Sequence, residues 1–265
     1  MQSIKKHAKI MFCYFRLNLA SAMEYRASFF TQAFGMALSN SSFIFFWWIA
    51  FRQLGGTIAG YSFYDILFIW SVTSSAFGLS HVLFENVNNL SQLIITGELD
   101  TFLLQPCNIL VNMLCARTSL SAYGDLAYGF VLMALSHGAD ASAWGWFLTG
   151  TLIGGFLITA ISLTAHTLTF YLGNASVLGQ MTTEFVINFS IYPDKIYGTA
   201  LRVLMYTLIP AGFIVHVPLR LAREFSLGTL ALLLGAAAVY GVLSGLLFYR
   251  GLRKYESGNV ITTRL

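Results

Sequence analysis

"LIITGELDTFLLQPCN", residues 93–108, decides how the chain is read. Apolar residues dominate it, yet Thr96, Glu98 and Asp100 interrupt the run, Gly97 breaks it and Pro106 ends it. Carboxylates this close to leucine, isoleucine and phenylalanine suit neither the interior of a bilayer nor a plain soluble surface. The meaning of the stretch is set by its flanks.

Those flanks are hydrophobic. Of 265 residues, 57% are hydrophobic, 15% aromatic and only 10% charged, and the mean hydropathy is +0.69. A soluble domain carries roughly 25% charged residues, so the charges are too few to cover a soluble surface and an integral membrane protein is expected. A spanning helix needs about 20 apolar residues. Six such segments are expected, at 27–51, 63–84, 110–136, 144–172, 178–192 and 227–249, the fifth being short. The fold class is an all-α membrane protein, a single transmembrane domain over residues 1–265.

After Pro193 the chain runs through residues 193–224, apolar but broken at Pro210 and Pro218 and flanked by Arg202, Arg220 and Arg223. Proline removes a backbone donor, and a broken backbone survives at membrane depth only under protein or beside water. Short re-entrant helices between spans five and six are expected, with a seventh kinked span as the alternative.

Lys5, Lys6, Lys9, Arg16 and Arg26 near the start, and Arg250, Arg253, Lys254 and Arg264 near the end, place both termini on the cytoplasmic side. An even number of spans follows, and residues 193–224 fall outside. The basic residues Lys195, Arg202, Arg220 and Arg223 run against this orientation there. Ile4, Ala8, Met11, Phe15, Leu19 and Ala22 recur at helical spacing, so residues 1–25 are expected to form an amphipathic helix lying in the inner interface.

Catalytic signatures are absent. No G-x-x-x-x-G-K-[ST] cradle for ATP phosphates occurs, and no H-E-x-x-H or G-x-S-x-G. Cys13, Cys107 and Cys115 lack C-x-x-C spacing and the five histidines form no metal-spaced pair. No catalytic residue, resident cofactor or metal site is expected, and membrane lipid rather than nucleic acid is the expected surroundings.

In this topology residues 85–108 are cytoplasmic. Apolar residues in a cytosolic loop must be buried on something, and acidic ones there suit a basic protein surface better than anionic lipid. A docking element for a soluble subunit is expected, an intramolecular cap over the bundle being the bland alternative.

With "GELDTFLLQP" at 97–106, "IYPDKIYG" at 191–198, "LIPAGFIVHVP" at 208–218 and "YRGLRKYESGN" at 249–259, the chain resembles permease subunits of the ABC-2 superfamily, of an uncharacterised efflux type, over essentially its whole length. The tail departs in reading Gly258-Asn259 where relatives often have Ala-Gly-Gly. The resemblance implies a type V exporter-like fold in a bacterial cytoplasmic membrane. It implies two permease copies, identical or homologous, forming the pathway, and separate cytoplasmic ATPase subunits that bind ATP and magnesium. The loop would be the coupling helix, with Gly97, Glu98, Leu99, Asp100, Phe102, Leu103 and Pro106 as its ATPase-coupling residues, and Pro193, Pro210 and Pro218 would mark the re-entrant segment. The competing class is an ion-coupled secondary transporter, for which Asp125 and the break at Pro210 speak.

Arg117, Glu184 and His166 each fall about 9–10 Å inside the inner face if spans three, four and five are continuous helices. Charges at that depth pair or face a polar cavity, so an Arg117–Glu184 pair with His166 nearby is expected. The alternative is that Arg117 snorkels to the headgroups.

Overall fold

The computed structural model describes residues 2–256. Met1, the side chains of residues 2–4 and residues 257–265 lie outside it, and with them Ile4 of the expected apolar face, the end of the tail motif through Asn259, and Arg264.

Helix α1 (Gln2–Glu24) is followed directly by α2 (Arg26–Gln53). The expected apolar face of α1 turns inward at Met11, Phe15, Leu19 and Ala22, while Ala8, Phe12 and Leu17 are exposed. A hairpin of β1 (Thr57–Ile58) and β2 (Tyr61–Ser62) follows, pairing Thr57 with Ser62 and Ile58 with Tyr61. Its two-residue turn holds Ala59 and Gly60 at positive φ, 52° and 80°, the geometry that matches the twist of a tight hairpin.

Helix α3 (Phe63–Phe84) opens on a capping box, in which the Ser62 side chain accepts from the Asp65 N–H and the Asp65 carboxylate accepts from the Ser62 N–H. These bonds satisfy two donors that helix geometry orphans. α3 is the buried axis of the bundle, with Ile66, Phe68, Ile69, Val72 and Ala76 all inside. A 3₁₀ turn (Glu85–Asn89) leads to α4 (Leu90–Thr96), α5 (Asp100–Leu103) and α6 (Ile109–Cys115). Helix α7 (Leu120–His137) packs along α3. A Cβ at Gly129 would collide with Ser75 Oγ and the Ser71 carbonyl, so the two backbones touch only because that position has no side chain.

Helix α8 (Ala141–Thr167), capped by the Asp140 carboxylate, runs into α9 (Thr169–Leu172). α10 (Ser176–Ser190) ends before Pro193. A 3₁₀ turn (Asp194–Ile196), α11 (Thr199–Met205), a π-helical turn (Gly212–His216) and α12 (Val217–Arg223) follow, and α13 (Leu227–Leu252) closes the described chain.

Among the described residues, four helices are long and apolar enough to cross a membrane: α2, α3 continued through α4, α8 continued through α9, and α13. α7 is 18 residues long and carries Asp125; α10 has 15 residues. The expected third span, 110–136, is not one helix. Residues 116–119 break it, because Thr118 Oγ1 donates to the Val82 carbonyl at 3.0 Å and Ser119 N to the His81 carbonyl at 3.1 Å. These residues dock on the end of α3 instead of continuing the turn.

The broken stretch 209–219 is buried throughout, among α3, α8 and α10. Protein cover is the condition under which irregular backbone persists in an apolar setting. Pro210 precedes the π turn. Pro218, expected to break a helix, sits instead in the first turn of α12, where a missing N–H is tolerated. The widened turn before it absorbs the ring. Gly150 and Gly154 of α8 face Pro218 and Ile214, which lets this segment approach α8 closely.

Candidate functional site

The loop between α3 and α7 is held on one side and open on the other. Leu90, Leu93, Ile94 and Leu99 are buried with Val87, Ile109, Met113, Leu163 and Phe248 in a second core separate from the main one. At about 1.5–3 kcal/mol per buried aliphatic side chain, an upper estimate, those four leucine and isoleucine residues fix the loop by about 6–12 kcal/mol. A loop so anchored moves with the bundle. Gly97, at φ 77°, is the left-handed residue that ends α4 and reverses the chain.

The residues named for coupling divide between the two sides. Leu99 is wholly buried and Phe102 half-buried, so both are anchors. Asp100, in the first turn of α5, is half-buried beside Tyr255 of the tail; burial and the Asp100 carboxylate push that phenol up to about 12. Glu98, Leu103 and Pro106 are exposed, together with Thr101, Leu104 and Gln105, which the sequence did not single out. Leu104, 87% exposed, is the most open large apolar residue of the described chain. The Pro106 carbonyl accepts from Lys6 Nζ at 3.1 Å, and Tyr14 OH donates to Asn112 Oδ1 at 2.6 Å, tying α1 to the same unit.

The tail motif docks here too. Asn108 Nδ2 donates to Tyr249 OH at 2.9 Å, Phe248 and Tyr255 join the second core, and Gly251 packs against Phe170. Thus the loop motif and the tail motif, some 150 positions apart, form one structural unit.

A buried polar chain leads away from the loop. Thr169 Oγ1 accepts from the Ala175 N–H at 3.2 Å and donates to Ser91 Oγ at 2.8 Å, which lies 2.8 Å from His166 Nδ1. It joins α4, α8, α9 and the start of α10. The His166 ring fills the space beside Gly179 of α10, where any Cβ would overlap it.

The expected Arg117–Glu184 pair does not form. Among the described residues the ion pairs are His81–Glu85, Arg220–Asp194 and Arg223–Asp65. Arg117 lies exposed in the break between α6 and α7, beside Asn18, Ser21 and Tyr25 at the end of α1. The depth estimate assumed a continuous helix, and the break removes it. Glu184 is exposed on α10, and His166 packs beside Gly179 with Ser91 as its partner.

At the other end of α3 a second network forms, centred on Asp194 of the "IYPDKIYG" motif. Asp194 is 2% exposed. Its Oδ1 accepts from Tyr61 OH at 2.5 Å, and its Oδ2 from Tyr206 OH at 2.9 Å and Arg220 Nη2 at 2.7 Å. Burial acts to raise the Asp194 carboxyl; the Tyr61 and Tyr206 hydroxyls and the Arg220 charge outweigh it and hold it below the usual carboxylate range. Arg223 grips Asp65 bidentately, Nε to Oδ1 at 3.0 Å and Nη2 to Oδ2 at 2.6 Å. Two of the basic residues that ran against the orientation are therefore neutralised in place. The partners Tyr61 and Asp65 were not legible as such; the only signal was a surplus of arginine near an isolated aspartate.

Between these networks a cleft of 230 Å³ opens among α2, α3, α7 and α10. Asp125, 3% exposed, lines it, with Oδ1 accepting from Asn40 Nδ2 at 2.7 Å. From its mouth Gln180, Glu184 and Asn188, spaced four apart and all exposed, make a polar stripe along α10. Among the described residues no group of three or more His, Cys, Asp or Glu is placed to hold a metal ion.

A family model described as ABC-2 family transporter protein matches residues 38–259. No curated protein matches the chain, and no solved structure does. The match spans the loop and tail motifs, the cleft apart from Met36, and, among the described residues, the helices long and apolar enough to cross a membrane, except the first residues of α2. The chain belongs to the ABC-2 family of transporter proteins and is a multi-pass membrane permease component of an ABC transporter, not its ATPase.

Proposed function

We propose that this chain is the pathway-forming subunit of an ATP-driven exporter, working as a pair of permeases seated on two cytoplasmic ATPase subunits. The observation that carries the reading is the two-sided loop. One side is locked to the bundle through Leu90, Leu93, Ile94 and Leu99, and the other presents Glu98, Thr101, Leu103, Leu104 and Pro106 to a partner. A patch with one acidic and two large apolar residues fits a cleft with a basic rim.

In this reading α7 and α10 complete six spans, the segment 193–224 is re-entrant on the outer side, and both termini are cytoplasmic in a bacterial inner membrane. ATP and magnesium bind only the partner. ATP binding draws the ATPase subunits together, and the seated loops carry α3 and α7 with them. The chain Thr169–Ser91–His166 passes the displacement to α8 and α10. The nucleotide shifts the equilibrium only by its differential affinity for the two states. The polar stripe Gln180–Glu184–Asn188 supports a paired arrangement, since such groups facing hydrocarbon are costly and a second permease or a wet pathway relieves them. Ion-coupled secondary transport is the poorer fit to a chain of this family.

The test is extraction of the tagged chain from its own membranes in a mild detergent. An ATPase subunit in stoichiometric amount, vanadate-sensitive ATP hydrolysis, and loss of both in a Glu98→Lys/Leu104→Asp variant are expected. Transport driven by an ion gradient alone, with no ATPase subunit present, would sink the proposal.

A further inference from the structure

The cleft among α2, α3, α7 and α10 has walls that select an occupant. Its volume of 230 Å³ lies just under the roughly 300 Å³ at which small-molecule pockets begin, so it suits a ligand of one or two rings. Asp125 and Glu184 line it, and no lysine, arginine or histidine does. Phe43 and Trp70 stack at 5.2 Å between ring centroids on one side.

The deciding atom is Asp125 Oδ2. It is buried and has no hydrogen-bond partner among the described residues, although Oδ1 is satisfied by Asn40. A carboxylate oxygen left without a donor inside an apolar bundle is strongly disfavoured. Asn40 and Asn188 line the same wall. What is missing is a cationic N–H donor, with an aromatic or apolar body to cover the rings.

We infer that this cleft binds an aryl-substituted organic ammonium ion, whose N–H donates to Asp125 Oδ2 and whose ring lies against Phe43 and Trp70. Glu184 at the mouth draws the cation in, and the aromatic faces favour it further. The inference rests on the permease reading and names the class of its cargo: protonated primary to tertiary amines. A quaternary ammonium satisfies the charge and the rings but has no N–H for Oδ2, so it binds more weakly.

The experiment uses the full chain in phosphatidylcholine nanodiscs without ATP, with tritiated N,N-dimethyl-1-naphthylmethylamine at pH 7 as the probe. Saturable binding is expected, weakened at least about tenfold in Asp125→Asn and severalfold in Glu184→Gln. The N,N,N-trimethyl analogue should compete at least about tenfold less well. That comparison needs no variant and stands even where Asp125→Asn fails to fold. Binding no greater than to empty nanodiscs, equal competition by the quaternary ion, or undiminished binding by a folded Asp125→Asn would each overturn the inference. ATPase co-purification is read separately, so a failed ligand inference leaves the permease reading standing.

Discussion

Ser91 Oγ lies 2.8 Å from His166 Nδ1, and both residues are wholly buried. One belongs to the loop helix α4 and the other to the apolar helix α8, so the pair joins the exposed loop to the interior of the bundle. Its surroundings are tight on the α10 side, where Gly179 leaves room for the ring and nothing more.

Gly179→Ala therefore forces the imidazole out of place. Overpacking of this kind typically destabilises by about 1–3 kcal/mol. Ser91→Ala leaves the Thr169 hydroxyl and His166 Nδ1 without their shared partner, at a similar cost of about 1–3 kcal/mol. Thermal unfolding of the detergent-purified variants measures both, and their double variant should be less than additive. Strict additivity would mean that the seam is not one network.

On the open side of the loop, Glu98→Lys with Leu104→Asp should weaken ATPase association by about tenfold or more and leave the melting temperature unchanged, because both side chains are exposed. Asp100→Ala should act differently: it loosens the tail at Tyr255 and lowers stability. Size-exclusion profiles of the assembled complex, beside melting curves of the permease alone, separate the two effects.

Asp194 predicts a pH dependence. Its folded carboxyl is held below the usual range, so its stabilisation is fully present above the unfolded value of about 3.9. It is lost as pH falls through the lower folded value. The wild-type melting temperature should carry this extra fall below about pH 4 and Asp194→Asn should lack it. Asp194→Asn should also be less stable at pH 7, by about 1–3 kcal/mol. Parallel pH profiles for the two proteins would remove Asp194 from that role.

Orientation is tested by labelling. In a background lacking Cys13, Cys107 and Cys115, cysteines at Thr57 and Ala139 should react with an impermeant maleimide from outside. Cysteine at Thr101 should react only after permeabilisation. All three positions are exposed, so reactivity reports sidedness. External labelling of position 101 would invert the topology.

The sequence by itself determined that the protein lies in a membrane and where four of its long apolar helices run. These rest on composition and on runs of about 20 apolar residues, which are local properties. It also located the break after α10, because proline acts where it stands. Tertiary structure alone decided the pairings. Arg117 left Glu184 because the helix breaks at residues 116–119, where Thr118 and Ser119 bond to backbone carbonyls at the end of α3, and no helical register anticipates that. Asp194 found Tyr61, across 133 positions, and Arg220 because a two-residue hairpin and a buried π turn carry them to one point. Side-chain partners across such distances are fixed by how whole helices pack, and packing depends on small residues such as Gly129, which lets two backbones meet, and Gly179, which makes room for the His166 ring.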